Sequence, residues 1–501
     1  MQNPRLTPNQ IYEFLDLGYL KIQLQHGVLG KDFAARMFER AREAYSRADL
    51  ESHHQNRIAH IADEGVDSLP EVKQLHSSPE INGALTSLLG HDFYRYRHSF
   101  IHRADQFDQS FHKDSPLPWG TKGGIRSHKL EWTMAFYYPQ DTTLALGPTE
   151  ILPGSQYWNV DRLGSGNTYG EDRLGLDFER ENVGSSPDLE LRDKHLETQR
   201  QSLDEYIEPL RLEVNANSLV LVHFDLFHRG TRMTCGGERY MFKFWYTRTS
   251  EPEPASEQTS ASYQPKDSRR QPIVKEIGSW MNLPISKSRG ERGSDTSPDC
   301  LQDASEANRL CGGYLKARRQ DESLIDEACS GIESTRRSAV YALAARPSLA
   351  KKAIPRLLNS DSFLDQQCAM FLIGECCDIG HSMVANAVDM TRNEEADASR
   401  AAIIALGKIK RRQQHPISED SHNQIVESLF EVLKDSNKDG AHRQLVYLSL
   451  LSFAADSHNT LELDQVVGIE EAVSAETNKY ARSTGVEVLA RAARVTLNAS
   501  P

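Results

Sequence analysis

The rhythm of apolar and polar positions changes twice along this 501-residue chain. Near the start, Ile11, Phe14, Leu15 and Leu17 follow Thr7-Pro8-Asn9-Gln10 at helical spacing. A threonine three residues before a glutamine marks a capped helix start. Gly18-Tyr19-Leu20-Lys21-Ile22 then predicts an entering strand. Apolar, β-branched and aromatic runs predict further strands at Phe93 to Ile101, Leu130 to Tyr138, Leu210 to Val214, Ser218 to His223 and Tyr240 to Thr247. Short strands parted by turns predict an all-β core with packed helices over residues 1–250.

Two polar stretches interrupt this pattern. Between Gln156 and about Glu205 the chain is rich in Gly, Asp, Glu and Arg. A loop of that length reads as a lid, a specificity element or a surface insertion. Residues 251–302 have linker composition, rich in Ser, Glu, Pro and Gln, with one amphipathic helix expected over 272–282 from Ile273, Ile277, Trp280 and Met281.

From residue 303 to 501 the pattern is helical only, and it repeats. Arg337 to Ala345 aligns with Gln367 to Glu375, which aligns with Arg400 to Lys408, at offsets of 30 and 33 residues. Arg309 to Ala317 is a degenerate earlier copy, and similar helices recur near Leu445 to Phe453 and Val486 to Ala493. Regular small residues let paired helices stack closely. This region resembles HEAT or armadillo repeats, which implies an all-α solenoid.

Composition narrows the function classes. A net charge of -13 argues against a nucleic-acid-binding surface. No apolar run approaches the roughly 18 residues of a membrane span, and the N-terminus lacks the pattern of a signal peptide. Of the seven cysteines, six follow residue 299 and none forms a CxxC pair, which suits reduced thiols in a cytoplasmic protein.

The candidate chemistry lies in His112-Lys113-Asp114. With 18 histidines, one His-x-Asp is expected by chance, and His223-Phe224-Asp225 is a second. The first has two histidines, His223 and His228, about 110 residues later at the end of an apolar strand. The second has only His228 nearby. Two histidines and a carboxylate on one face suit Fe(II) and leave three coordination positions open. Arg239 follows, and its planar guanidinium can grip a carboxylate at two points.

These segments resemble the phytanoyl-CoA dioxygenase family of Fe(II)/2-oxoglutarate oxygenases over about the first 280 residues. TPNQIYEFLDLGYLKI resembles the family's opening helix and strand, FHKD its first two ligands, and GPTEILPGSQYW its Gly-Pro…Pro-Gly-Ser-His turn, with Gln156 where histidine is common. LVLVHFDLFHRGTRMTCGGERYMF resembles the distal segment, in which an arginine follows the histidine by eleven residues. The resemblance therefore implies His112, Asp114 and His228 as metal ligands rather than His223, and Arg239 as the 2-oxoglutarate clamp. Gly230 stands where some relatives place a serine that assists the arginine, so Thr231 is the candidate substitute. Arg97 and Trp132 occupy places where relatives contact the co-substrate.

The implied fold is a double-stranded β-helix, jelly-roll or cupin-like, with flanking helices. The implied cofactors are Fe(II), 2-oxoglutarate and O2. The implied reaction is hydroxylation of a small molecule with release of succinate and CO2. Asp114 is intact where halogenases of this superfamily lose the carboxylate, and desaturation or ring closure would use the same residues. The alternatives are a protein substrate recruited by the repeats, self-association through them, or a non-catalytic interaction protein.

Overall fold

The structure is a computed structural model. It describes residues 4–25, 29–47, 57–61, 68–104, 106, 108–114, 125–158, 172–174, 186–204, 207–252, 261–266, 270–284, 323–376, 380–412, 418–454 and 461–499.

The expected opening helix is α1, Pro8–Leu17. Thr7 and Gln10 form a reciprocal capping box, and Gly18 ends the helix at φ 78°. Three further helices, α2 (Phe33–Arg47), α3 (Pro70–His76) and α4 (Pro79–Leu89), precede the main strands.

The described strands form two antiparallel sheets. The larger has six, in the order β1 (Tyr19–Gln23), β9 (Ser218–His223), β5 (Trp132–Tyr138), β11 (Tyr240–Thr247), β3 (Tyr94–Arg103) and β2 (Arg57–Ile61). The smaller has five short strands, in the order β7 (Asp172–Arg173), β4 (His112–Lys113), β10 (His228–Gly230), β6 (Thr149–Ile151) and β8 (Leu210–Arg211).

Strand alternation gives the large sheet two apolar faces. Met134, Phe136, Tyr138, Val220, Val222, Met241 and Trp245 share a core with Ile151 and Leu212 beside the small sheet. Their neighbours Ala135, Tyr137, Leu219, Leu221, Phe242 and Phe244 share the opposite core with α1 to α4. Burying each such Val, Leu or Phe stabilises the fold by roughly 1.5–3 kcal/mol. That is why β5, β9 and β11 read as largely apolar runs.

Two polar segments hold more structure than their composition suggests. The insertion contains α5, Leu189–Asp204, and its Asp172–Arg173 pairs with β4. The sequence LELRDKHLETQRQSLD is built from strong helix formers without a clean apolar stripe, so polarity masks its helicity. In the stretch expected as linker, α6 (Gln271–Trp280) forms where a helix was expected and packs back on α1. The fully buried Asp16 carboxylate gathers this segment, accepting from Tyr263 Oη at 2.7 Å, Lys266 N at 2.9 Å and Arg270 Nε at 2.7 Å.

The C-terminal helices fall into two rows. One contains α8 (Glu333–Ala344), α10 (Phe363–Glu375), α12 (Ala396–Arg412), α14 (Gly440–Ala454) and α16 (Lys479–Ala499). Each of these packs on the next of its row. The other row contains α9 (Pro347–Leu358), α11 (His381–Thr391), α13 (Glu419–Lys434) and α15 (Leu463–Ala475). A short α7, Ser323–Ala328, lies against α8. The aligned sequence copies are successive helices of the first row; the copy at Arg309 to Ala317 lies outside the described residues. Gly407 shows why small residues recur: a Cβ there would meet Ser449 of α14 at 2.7–3.0 Å.

The first row is laid against the β region. Tyr341 of α8 stacks on His128 at 3.8 Å between ring centroids. Glu131 pairs with Arg411 and Arg412 of α12, Gln444 of α14 donates to Tyr96 Oη, and Tyr480 of α16 stacks on Tyr96 at 6.2 Å. No helix among the described residues is long and apolar enough to cross a membrane. Their cysteines, Cys235, Cys329, Cys368 and Cys376, are free thiols.

Candidate metal centre

β4 alternates by strand geometry, so His112 and Asp114 face one way and Lys113 the other. Lys113 is buried, donating from Nζ to Trp158 O at 2.8 Å and Gln156 O at 3.2 Å. β10 pairs antiparallel with β4 in a register that sets His228 opposite His112. The two imidazole centroids are 4.7 Å apart. Asp114 Oδ1 lies 4.0 Å from His112 Nε2 and 3.8 Å from His228 Nε2. The three ligand atoms lie within 4.8 Å of one another, and no other such His/Cys/Asp/Glu group occurs among the described residues.

Hydrogen bonds fix both tautomers. His112 Nδ1 faces Ser110 O and His228 Nδ1 faces Leu226 O, each at 3.0 Å. A carbonyl only accepts, so each Nδ1 carries the proton and each Nε2 offers its lone pair. A second hydrogen bond of this kind is what orients a metal-ligating histidine. Burial, then the nearby Lys243 charge, lowers the His228 pKa to about 3, keeping it neutral. Burial alone would raise the Asp114 pKa. Lys243 and the two imidazoles outweigh it and hold the carboxyl well below its usual range. Two imidazoles with Nε2 turned toward a carboxylate fit a divalent cation.

His223 contrasts with His228. Its Nδ1 accepts from Asp225 N at 3.1 Å, which places its proton on Nε2, and its ring packs between Phe14 and Tyr157. Burial lowers its pKa to about 4. The structure brings His112, Asp114 and His228 together and leaves His223 apart.

The large sheet supplies the facing cations. Arg239, Met241, Lys243 and Trp245 share one face of β11 and its N-terminal extension. Lys243 Nζ lies 2.5 Å from Asp114 Oδ2 and 3.4 Å from His228 Nε2, framed by the rings of Phe100, Phe136 and Trp245. Its ammonium stands in for a cation beside the triad. The sequence reading passed over Lys243, whose signal was a lone charge inside the apolar run YMFKFWYT.

Arg239 is 3% exposed. Its Nη2 donates to Gly147 O, its Nε has no hydrogen-bond partner, and no carboxylate pairs with it among the described residues. Burial lowers its pKa, which Tyr138 and Tyr45 partly offset. Gly147 has φ 66°, and a Cβ there would strike Thr231 O at 2.5 Å. Thr231 Oγ1 donates to Pro148 O at 2.6 Å, so it braces the turn that holds Arg239. Trp132 packs against Tyr96 and Phe224. Arg97 lies on β3 near His76 of α3.

No protein-family model matches the chain, and no curated protein does. Solved structures align with about half of the chain. One is SnoK, a non-haem α-ketoglutarate-dependent carbocyclase from nogalamycin biosynthesis: 14% identity, TM-score 0.33, covering 49% of this chain and 85% of that one. A second is HygX from Streptomyces hygroscopicus with nickel and 2-oxoglutarate bound: 15% identity, TM-score 0.33, covering 53% and 98%. A third is EctD from S. alaskensis in its apoform: 14% identity, TM-score 0.32, covering 49% and 78%. Similarity at this level does not transfer a reaction or a substrate.

Proposed function

We propose that this chain is an Fe(II)- and 2-oxoglutarate-dependent dioxygenase that oxidises a small molecule. The observation that carries the reading is the pair of histidines held at Nδ1 by backbone carbonyls with Nε2 turned toward Asp114, faced by the buried Arg239, which has no carboxylate partner among the described residues. On this reading the two sheets are a double-stranded β-helix in residues 1–250, the stretch to 302 is a connector, and the helices from 303 are a HEAT-like array.

His112, Asp114 and His228 would hold the iron. Bound iron and 2-oxoglutarate would supply O2 activation and C–H oxidation, with succinate and CO2 as by-products. Arg239 would grip the far carboxylate. It lies four residues before Lys243 on the same strand face, roughly 13 Å along β11, a span suited to its own side chain plus a five-carbon diacid. Gly147 and Thr231 keep its guanidinium aimed. The apolar walls of β5, β9 and β11 exclude water behind the site.

A small-molecule substrate fits this arrangement better than recruitment by the inner helices, because the first row is occupied by the β region. A protein partner or self-association would use the outer row. The acidic composition argues against a nucleic-acid partner, and the cysteine pattern suits a cytoplasmic setting.

The test is anaerobic titration with Fe(II) and 2-oxoglutarate, watching the weak visible metal-to-ligand charge-transfer band. Wild type shows the band. His228→Ala loses it, His223→Ala keeps it, and Arg239→Ala needs roughly 100-fold more 2-oxoglutarate. Iron-loaded, folded wild type without the band would sink the proposal.

A further inference from the structure

Where the β region meets the helices there is a cavity of about 160 Å³ that neither the triad nor the Arg239 clamp uses. Arg126, Trp132 and Phe224 line it from the sheet side; Lys408, Leu445 and Ser449 line it from α12 and α14. Arg126 connects it to the metal centre. Its Nη1 lies 2.5 Å from Asp225 Oδ1, and its Nη2 donates to the backbone carbonyl of Asp114. One side chain therefore separates this cavity from a metal ligand.

The charge around the cavity is unbalanced. Glu375 takes Lys129 at 3.3 Å, Lys408 at 2.7 Å and Arg412. Glu131 takes Arg411 at 2.6 Å and also Arg412. Glu251 lies 3.5 Å from Arg412. The lining itself carries five cations, Arg126, Lys129, Arg248, Lys408 and Arg411, and two carboxylates, Glu131 and Asp225. Buried charge in excess of one sign is costly, and an anion entering beside it lowers that cost. Burial pulls the Lys408 pKa down, while Glu131, Glu251 and Asp225 act in the opposite direction. The other lining is aromatic and aliphatic, which suits a ligand with an apolar body.

We propose that this seam cavity is an anion subsite for the substrate, built jointly by the β region and the helical region. It takes the carboxylate or phosphate end of a small, partly apolar molecule and leaves the rest beside the triad. The helices are then part of the binding site rather than an appendage. Calling the ligand a substrate rests on the metal-centre reading; the anion site rests on the cavity and its charges alone.

The probe is phenyl phosphate, titrated calorimetrically into the full-length chain with Mn(II) and 2-oxoglutarate present. Wild type binds it. Lys408→Met weakens binding about tenfold or more. Ser452→Leu, which narrows the cavity without removing a charge, weakens it as well, with far-UV circular dichroism confirming the fold of both. Arg239→Met leaves phenyl phosphate binding unchanged. No binding to wild type overturns the proposal. So does binding that is lost in Arg239→Met and kept in Lys408→Met, because the anion would then occupy the co-substrate clamp. Separate titration of Mn(II) and 2-oxoglutarate tests the metal reading: its failure with phenyl phosphate binding intact overturns that reading and leaves the anion site standing.

Discussion

Two buried arginines mark one position that the protein completes itself and one that it does not. Arg412, at the seam between the β region and the helices, meets Glu131, Glu375 and Glu251. Arg239, between the sheets, meets one carbonyl and no carboxylate among the described residues. Both are withdrawn from water, so both incur desolvation. At Arg412 the protein supplies the compensation itself. Beside the triad it does not, and a ligand has to. The same residue type is paired within the protein in one place and, on the proposed reading, left for a ligand in the other because of what surrounds it.

The sharpest way to break this contrast is to remove each guanidinium and ask what is lost. Arg412→Met strands carboxylates that share its charge, and losing one partner of a buried ion group costs about 3–5 kcal/mol. Equilibrium urea unfolding should report that loss without any change in 2-oxoglutarate affinity. Arg239→Met should do the reverse. It removes a buried charge that has no anionic partner, so stability holds or rises while co-substrate binding fails. A stability loss below about 1 kcal/mol in Arg412→Met would show that the seam is no better paired than the clamp.

Acid sharpens the comparison next, because buried histidines flank both places. Burial lowers the pKa of His128, at the seam, to about 3, and that of His223, behind the triad, to about 4, from the ordinary 6.5. Each is neutral when folded and takes up a proton when unfolded. The unfolded state therefore gains protons as pH falls below about 6.5, and stability drops until the folded-state values are reached. From pH 7.5 to 5.5 each histidine should cost about 1–1.5 kcal/mol. Urea midpoints across this range check the slope, and His128→Phe should remove about 1–1.5 kcal/mol of the loss. A midpoint flat from pH 7.5 to 5.5 would contradict the neutral, buried state of both rings.

The strands were legible because both faces of β5, β9 and β11 are apolar, and the repeats because their small residues recur with the helices. The ligand set was legible as a motif and a spacing: β4 alternation puts His112 and Asp114 on one side, and β10 brings His228 across from His112. The tautomers were not legible, since they depend on the Ser110 and Leu226 carbonyls folding back onto the rings. Nor was Lys243, which looks from sequence like one charge in a strand and becomes a neighbour of Asp114 only when the sheets face each other. The contacts of Glu131 with Arg411 and Arg412 join residues about 280 positions apart. No local pattern encodes such a pairing. Helix α5 was hidden for the opposite reason: its propensity is strong but its face is polar.

Lys243 gives the smallest predicted effect and the finest test of what the incomplete position is for. Its ammonium lies 2.5 Å from Asp114 Oδ2, so a divalent cation entering the triad has a positive charge as its neighbour. Two like charges about 4 Å apart at an effective dielectric of 20 repel by about 4 kcal/mol, an upper limit that side-chain movement reduces. Lys243→Met keeps the volume and removes the charge. Mn(II) titrations followed by electron paramagnetic resonance, without 2-oxoglutarate, should then show affinity about tenfold tighter than wild type. With 2-oxoglutarate bound, its two carboxylates supply negative charge, and the difference between Lys243→Met and wild type should shrink. Affinity unchanged or weakened in the variant would mean that Lys243 supports the triad rather than competing with its ion. The large sheet would then have closed one cationic position of its own accord and left only Arg239 open to a ligand.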